Sequence, residues 1–215
     1  MTKTMNTPFS ICIGRQLGSG GHQIGQLLAQ QLNFSFFDKE LIDLASRESG
    51  LEKKLFEQAD EKASHSLFAG LLGLRNSFDE YYFNDYLGYE TLFRIQSQVI
   101  QKLAQSKSCV FVGRCADYIL REKNNSISLF ICASHKDRFQ RIQQRMNGDR
   151  EAALALMTKA DKKRANYYNY YTDKSWGEAA SYDLCINSSL LGIDETTKLI
   201  ARIVEKRKER ESPTQ

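Results

Sequence analysis

The sequence predicts an α/β domain in which helices cover both faces of a five-stranded parallel sheet. Three observations lead there. Five short runs rich in apolar, β-branched or aromatic residues occur at 9–13, 34–37, 109–112, 127–132 and 182–186. They are nearly continuous in hydrophobicity, as strands buried on both faces are. The stretches between them carry apolar residues at helical spacing, which alternates strand with helix and so predicts parallel pairing.

The first run ends at Gly14 and enters GRQLGSGGHQIG, after which Ile24, Leu27, Leu28 and Leu32 mark an amphipathic helix. Strand, glycine loop and helix together make a phosphate-binding arrangement. Gly18, Gly20 and Gly21 let the backbone turn tightly and aim N–H groups at an anion, and the helix N-terminus adds about half a positive charge. A plain β–α turn needs only one glycine. Ser19 is a candidate hydrogen-bond donor, and His22 either meets a phosphate or caps the helix. Two nucleotide patterns compete here. G-x-G-x-x-G fits Gly18 and Gly20 but wants glycine at Gln23, with Asp38 at the distance expected of a ribose-binding acid. G-x-x-x-x-G-K-[ST] fits the glycine framework but finds Gly21 where its lysine belongs.

Between the second and third runs lie about 70 residues, too many for one crossover helix, and several helices are expected there. The aromatic centre of this segment, FAGLLGLRNSFDEYYFNDYLGYE, either packs a helical insert or lines a pocket. Leu92, Ile95, Val99, Ile100 and Leu103 then form a core-facing helical stripe. The third run ends in Gly113 and Arg114, where a planar guanidinium at a strand's carboxyl end suits bidentate phosphate binding. After the fourth run Arg138, Arg141 and Arg145 recur at helical spacing. Asp161 and Arg164 stand three apart on a predicted helix, so both can face one ligand, although an ordinary intrahelical ion pair explains the same spacing. Ile193, Thr197, Ile200 and Val204 follow the fifth run as a core-facing stripe.

Composition bounds the function classes. A chain of 215 residues, 41% hydrophobic, holds one core, so residues 1–215 read as a single domain. Thirty basic against 26 acidic residues leave a net charge of +4, without the dense basic stripe of a nucleic-acid binder. No apolar run reaches the roughly 18 residues of a membrane span, and the first residues lack a signal-peptide core, so a cytoplasmic protein is expected. Five cysteines without C-x-x-C spacing read as reduced, buried thiols, and three scattered histidines show no metal-ligand spacing. The basic tail from Lys206 reads as a frayed helix end. Oligomeric state is not legible.

As a set and in this order, five segments resemble the cytidylate kinase-like family, a branch of the P-loop nucleoside monophosphate kinases. They are GRQLGSGGHQIG, FFDKELI, VGRCADYIL, DKKRANYYNYYT and YDLCINSSLLGID. The resemblance implies a P-loop fold with a helical acceptor-binding insert over 38–107 and a lid and base-binding region over about 134–176. It implies ATP with Mg²⁺ as donor and CMP or dCMP as acceptor. Residues 18–22 then cradle the donor phosphates with help from Arg138 and Arg141. Asp38, Arg114, Asp161 and Arg164 meet the acceptor. Asp117, Tyr167, Tyr168, Tyr171 and Trp176 are expected as pocket walls. The chain departs from the pattern in lacking the loop lysine and the hydroxyl that follows it. Arg15 or an arginine of the lid is the expected replacement charge, which makes Arg15, Arg114 and Arg164 the candidate catalytic set. Three rival readings remain: a catalytically weak nucleotide-binding regulator, a kinase for another small acceptor, and a nicotinamide oxidoreductase, against which Gln23 argues.

Overall fold

The structure is a computed structural model that describes residues 7–48, 50 and 89–211. The aromatic centre of the predicted insert and His65 lie outside the described residues. Five parallel strands stand in the order β2-β3-β1-β4-β5, with β1 at Ser10–Arg15, β2 at Ser35–Phe37, β3 at Cys109–Val112, β4 at Ser126–Cys132 and β5 at Leu184–Asn187. The order of the described helices is α1 (Gly21–Leu32), α2 (Lys39–Glu48), α3 (Tyr89–Ser106), α4 (Ala116–Ile119), α5 (His135–Arg145), α6 (Arg150–Thr172) and α7 (Gly192–Glu211).

Each predicted run becomes a strand within two residues of its expected bounds. The central strand β1 pairs with β3 through Ile11 and Val110 and with β4 through Ile13 and Leu129. Burial on both faces explains the absence of alternation in β1 and β3. Ile11, Ile13, Val110, Val112, Leu129 and Ile131 form one cluster with Ile24 and Leu28 of α1 and with Ile200 and Val204 of α7. A fully buried aliphatic side chain of this kind contributes about 1.5–3 kcal/mol. Phe130 points the other way, and its ring meets those of Tyr182 and Trp176 at 5.1 Å each.

Two sequence expectations need correction at the edge strand β5. Tyr182 donates its N–H to Ala179 and closes a 3₁₀ turn, so the strand starts at Leu184. Cys185 is exposed, because an edge strand has one wet face; Cys12, Cys109 and Cys115 are buried, and all five cysteines are free thiols.

The helix boundaries have local causes. Asn33 ends α1 in the left-handed conformation. Ser134 caps α5 by accepting from the Asp137 N–H at 3.1 Å, and Asp149 caps α6 by accepting from Ala152 at 2.9 Å. Two compact units are distinguished, Met1–Lys39 with Gln101–Gln215, which holds the sheet, and Glu40–Ile100. Within the second unit Gln96 donates to Asp43 at 2.9 Å. Among the described residues no helix is long and apolar enough to cross a membrane.

Candidate functional site

The sheet gathers its candidate residues at the carboxyl ends of its strands, the edge where open parallel sheets bind ligands. After β1 the chain turns through Gly18 and Gly20 at φ 79° and 81°, a region that costs a side chain about 1–2 kcal/mol. Gly20 is the N-cap of α1 and brings no side chain to it. Beyond the Gly21 N–H, which meets the Ser19 hydroxyl at 3.3 Å, the first turn of that helix has no N-cap side chain, the arrangement of an anion site.

Ser19 is turned into the loop. Its hydroxyl donates to the Gln16 carbonyl at 2.9 Å and accepts from the Gly21 N–H at 3.3 Å, and the residue is fully buried. Ser188, just past β5, donates to the Ser19 carbonyl at 2.6 Å. His22 and Asp38, from the start of α1 and the end of β2, meet at 3.0 Å between Nε2 and Oδ2, with the histidine half-exposed.

Helices α5 and α6 hold the loop's backbone from the other side. Asp161 accepts from the Leu17 N–H at 2.8 Å, and Arg138 donates from Nε to the Leu17 carbonyl at 2.8 Å while pairing with Asp161. Arg141 donates to the Gly18 carbonyl at 2.9 Å, and Arg164 donates to the Arg15 carbonyl at 3.1 Å and stands 3.9 Å from Asp161. Four residues expected to face two different nucleotides are thus brought together on the backbone of 15–18. Arg138 and Asp161 are largely buried, at 10% and 17% side-chain exposure, so their pairing is shielded from water. Arg145, one turn further along α5, is exposed.

After β3, Arg114 and Cys115 both take left-handed backbone, φ 57° and 54°, strain of the kind that collects at functional sites. The Arg114 guanidinium lies 5.5 Å from the Tyr167 ring centre, a cation–π contact. Asp117, on α4, accepts from the Tyr168 hydroxyl at 2.7 Å. Burial pushes its carboxyl above the ordinary range, with the Tyr168 hydrogen bond opposing. Burial likewise raises the Tyr167 phenol, with Arg114 opposing. Tyr167 and Tyr171 pack at 4.8 Å, whereas Trp176 packs on Phe130. Arg15 runs from Gly21 to Gly113, across the ends of β1 and β3.

Sequence reading did not single out Gln16, whose side chain accepts from the Ala133 N–H at 3.3 Å, or Ser188 and Ser189. Their one signal was position, directly after a strand. Among the described residues no three His, Cys, Asp or Glu side chains converge as a metal cage.

A family model described as the cytidylate kinase-like family matches residues 10–190. A crystal structure of an uncharacterized protein from Eubacterium ventriosum ATCC 27560 aligns with a TM-score of 0.68 at 28% identity, over 92% of this chain and 98% of that one. Shikimate kinase from Acinetobacter baumannii, solved in complex with shikimate, aligns at 0.50 and 14% identity over 97% and 99%. The crystal structure of APE1195 aligns at 0.51 and 10% identity over 95% and 98%. At such identities the last two establish the fold alone. No curated protein matches the chain significantly.

Proposed function

The chain belongs to the cytidylate kinase-like family, with the fold of a P-loop kinase, and from that premise we propose that it transfers the γ-phosphate of ATP to CMP or dCMP. One observation carries the reading. A glycine loop whose N-cap Gly20 brings no side chain lies at the carboxyl end of the central strand; Arg138 and Arg141 of α5 and Arg164 of α6 hold its backbone, and Arg15 of β1 packs against its Gly21. Phosphoryl transfer asks little covalent chemistry of the protein; it asks for positioning and for positive charge around two sets of phosphates.

In this reading the N–H groups of Gly20 and His22 hold the donor phosphates, with the Gly21 N–H held by the Ser19 hydroxyl. Arg141, whose guanidinium lies at the mouth of the loop, adds charge there. Arg114 takes the acceptor phosphate with its planar fork, and Asp38 lies at the acceptor's entry. Asp161, Arg164 and Arg138 act on the loop's backbone, so their contribution is to keep the cradle in shape. Mg²⁺ supplies charge neutralisation between the phosphates when it is bound.

A nucleotide-binding regulator with weak catalysis is the second reading, favoured by the glycine at position 21 in place of the loop lysine. The likeness in fold to a shikimate kinase supports a third, a different small acceptor.

The test is ADP release from ATP and Mg²⁺ with CMP, dCMP, UMP, AMP, GMP and shikimate offered in turn. Turnover dependent on CMP or dCMP is expected. Arg114→Ala should lose acceptor use at least tenfold more than ATP affinity, and equal losses would contradict its role. Gly20→Val should lose ATP binding while still folded, since a branched side chain is strained at φ 81° and its Cβ meets Ile193 at 3.0 Å. ATP binding without turnover on any acceptor would select the regulator, and turnover with another acceptor alone would select the third reading.

A further inference from the structure

Position by position, the lysine-bearing phosphate-loop pattern keeps only its second glycine, at Gly20, a correction to the expected glycine framework: its first glycine falls at Arg15 and its lysine at Gly21. The two residue types have changed places. Arginine stands where the pattern has glycine, and glycine stands where it has the cation.

The structure shows that positions 15 and 21 share one space. Gly21 is buried, and a Cβ placed on it would lie 2.6 Å from Arg15 Cβ, 3.3 Å from Arg15 Cγ and 3.2 Å from Ile131 Cβ. Side chains at 15 and 21 therefore compete for one volume. With Gly21 bare, the Arg15 stem occupies that volume, and the guanidinium continues to Gly113, where a Cβ would collide with Nη1. A second absent side chain thus makes room for the same arginine. Arg164 fixes its starting point by donating to the Arg15 carbonyl at 3.1 Å. The guanidinium ends beside Gly113, the residue that precedes Arg114.

We infer that Arg15 is the phosphate-bridging cation of this loop, delivered from the strand where related loops deliver a lysine, and that its ligand is the β- and γ-phosphate oxygens of a nucleoside triphosphate. The inference rests on the kinase reading above. A guanidinium is permanently charged and can span two phosphate oxygens in one plane, which suits a bridge. During transfer an oxygen of the acceptor phosphate bonds to the γ-phosphorus as the bond from that phosphorus to the β,γ-bridging oxygen breaks. ADP leaves with the electron pair, and Arg15 neutralises the charge without forming a covalent bond.

The experiment measures ATP, ADP and AMP affinities by calorimetric titration, and turnover, for the wild type, Arg15→Ala, Arg15→Lys, Arg15→Gly, Gly21→Lys and the double Arg15→Gly/Gly21→Lys. Thermal melts confirm that each is folded. Arg15→Ala should lower turnover about 100- to 1,000-fold, the range seen when a transition-state donor is removed, and should weaken ATP more than AMP. Arg15→Lys should recover part of both. Gly21→Lys alone should be impaired by the collision with Arg15, and the double, which relieves it and restores the lysine, should exceed both of its parent singles. A folded Arg15→Ala with wild-type turnover, or with ATP and AMP weakened equally, overturns the inference, as does a double no better than Arg15→Gly. Should the wild type bind ATP without turning over, the ATP-to-AMP comparison decides alone. A wild type that binds no nucleoside triphosphate overturns the kinase reading itself, which is distinguishable because no variant is then needed.

Discussion

Asp117 illustrates how one side chain can set a pH dependence. Its half-buried carboxylate receives the Tyr168 hydroxyl at 2.7 Å, yet burial outweighs that bond and raises its pKa. A raised carboxyl holds its proton in the folded state after the unfolded chain has released it. Stability from this group is therefore greatest below the ordinary carboxylate pKa and falls as pH rises from there through the raised value. Asp117→Asn keeps an oxygen for Tyr168 and removes the titration. Across urea denaturations from about pH 3.5 to 7.5, the variant should gain on the wild type as pH climbs through that window. A difference in stability that stays constant with pH would contradict the assignment. Arg114 belongs to the same scale: its left-handed backbone stores strain to aim the guanidinium beside Tyr167.

The elements α5 and α6 act together as the support of the glycine loop. Their own packing, Ile142 against Ala153 and Met157, also takes in Leu17 of the loop. Over that apolar contact, Asp161 and Arg138 bind the N–H and the carbonyl of the same Leu17. Asp161→Ala would leave the largely buried Arg138 without its carboxylate and the Leu17 N–H without its acceptor. Loss of one partner of a buried pair costs about 3–5 kcal/mol. The expected result is a destabilisation of that size in urea denaturation, with ATP affinity falling alongside. Asp161→Asn, which can still accept from Leu17, should lose less. Wild-type stability and affinity in Asp161→Ala would remove the support role.

At the scale of the molecule, the unit holding the sheet brings loops from all five strand ends to one edge, so a ligand there would tie together segments distant in sequence. Such a ligand stabilises the folded state by mass action. ATP with Mg²⁺ at 100 times its Kd should contribute about 2.7 kcal/mol, a rise of roughly 5–10 °C in the melting midpoint for a domain of this size. Gly20→Val should show no such rise. An unchanged midpoint for the wild type, measured by calorimetry with saturating ATP, would count against a nucleotide site at this edge.

Local pattern made much of this legible in the sequence. The five apolar runs became the five strands, and the cluster of Gly18, Gly20 and Gly21 marked the loop, because strand and turn conformations depend on neighbouring residues and their periodicity. Arg114 was visible for the same reason, as a guanidinium directly after a strand. The pairing of Leu17 with Asp161 was not, since it joins positions 144 apart in the chain, and nothing near either residue encodes the other. Ser188 holding Ser19, and Arg15 filling the space that Gly21 leaves, are decisions of the same kind. By itself the sequence determined which segments are strands and where the glycine loop lies. Only the tertiary structure decided which arginines hold the loop and which one crosses it, because hydrogen-bond partners and shared volume exist only once the strands are side by side.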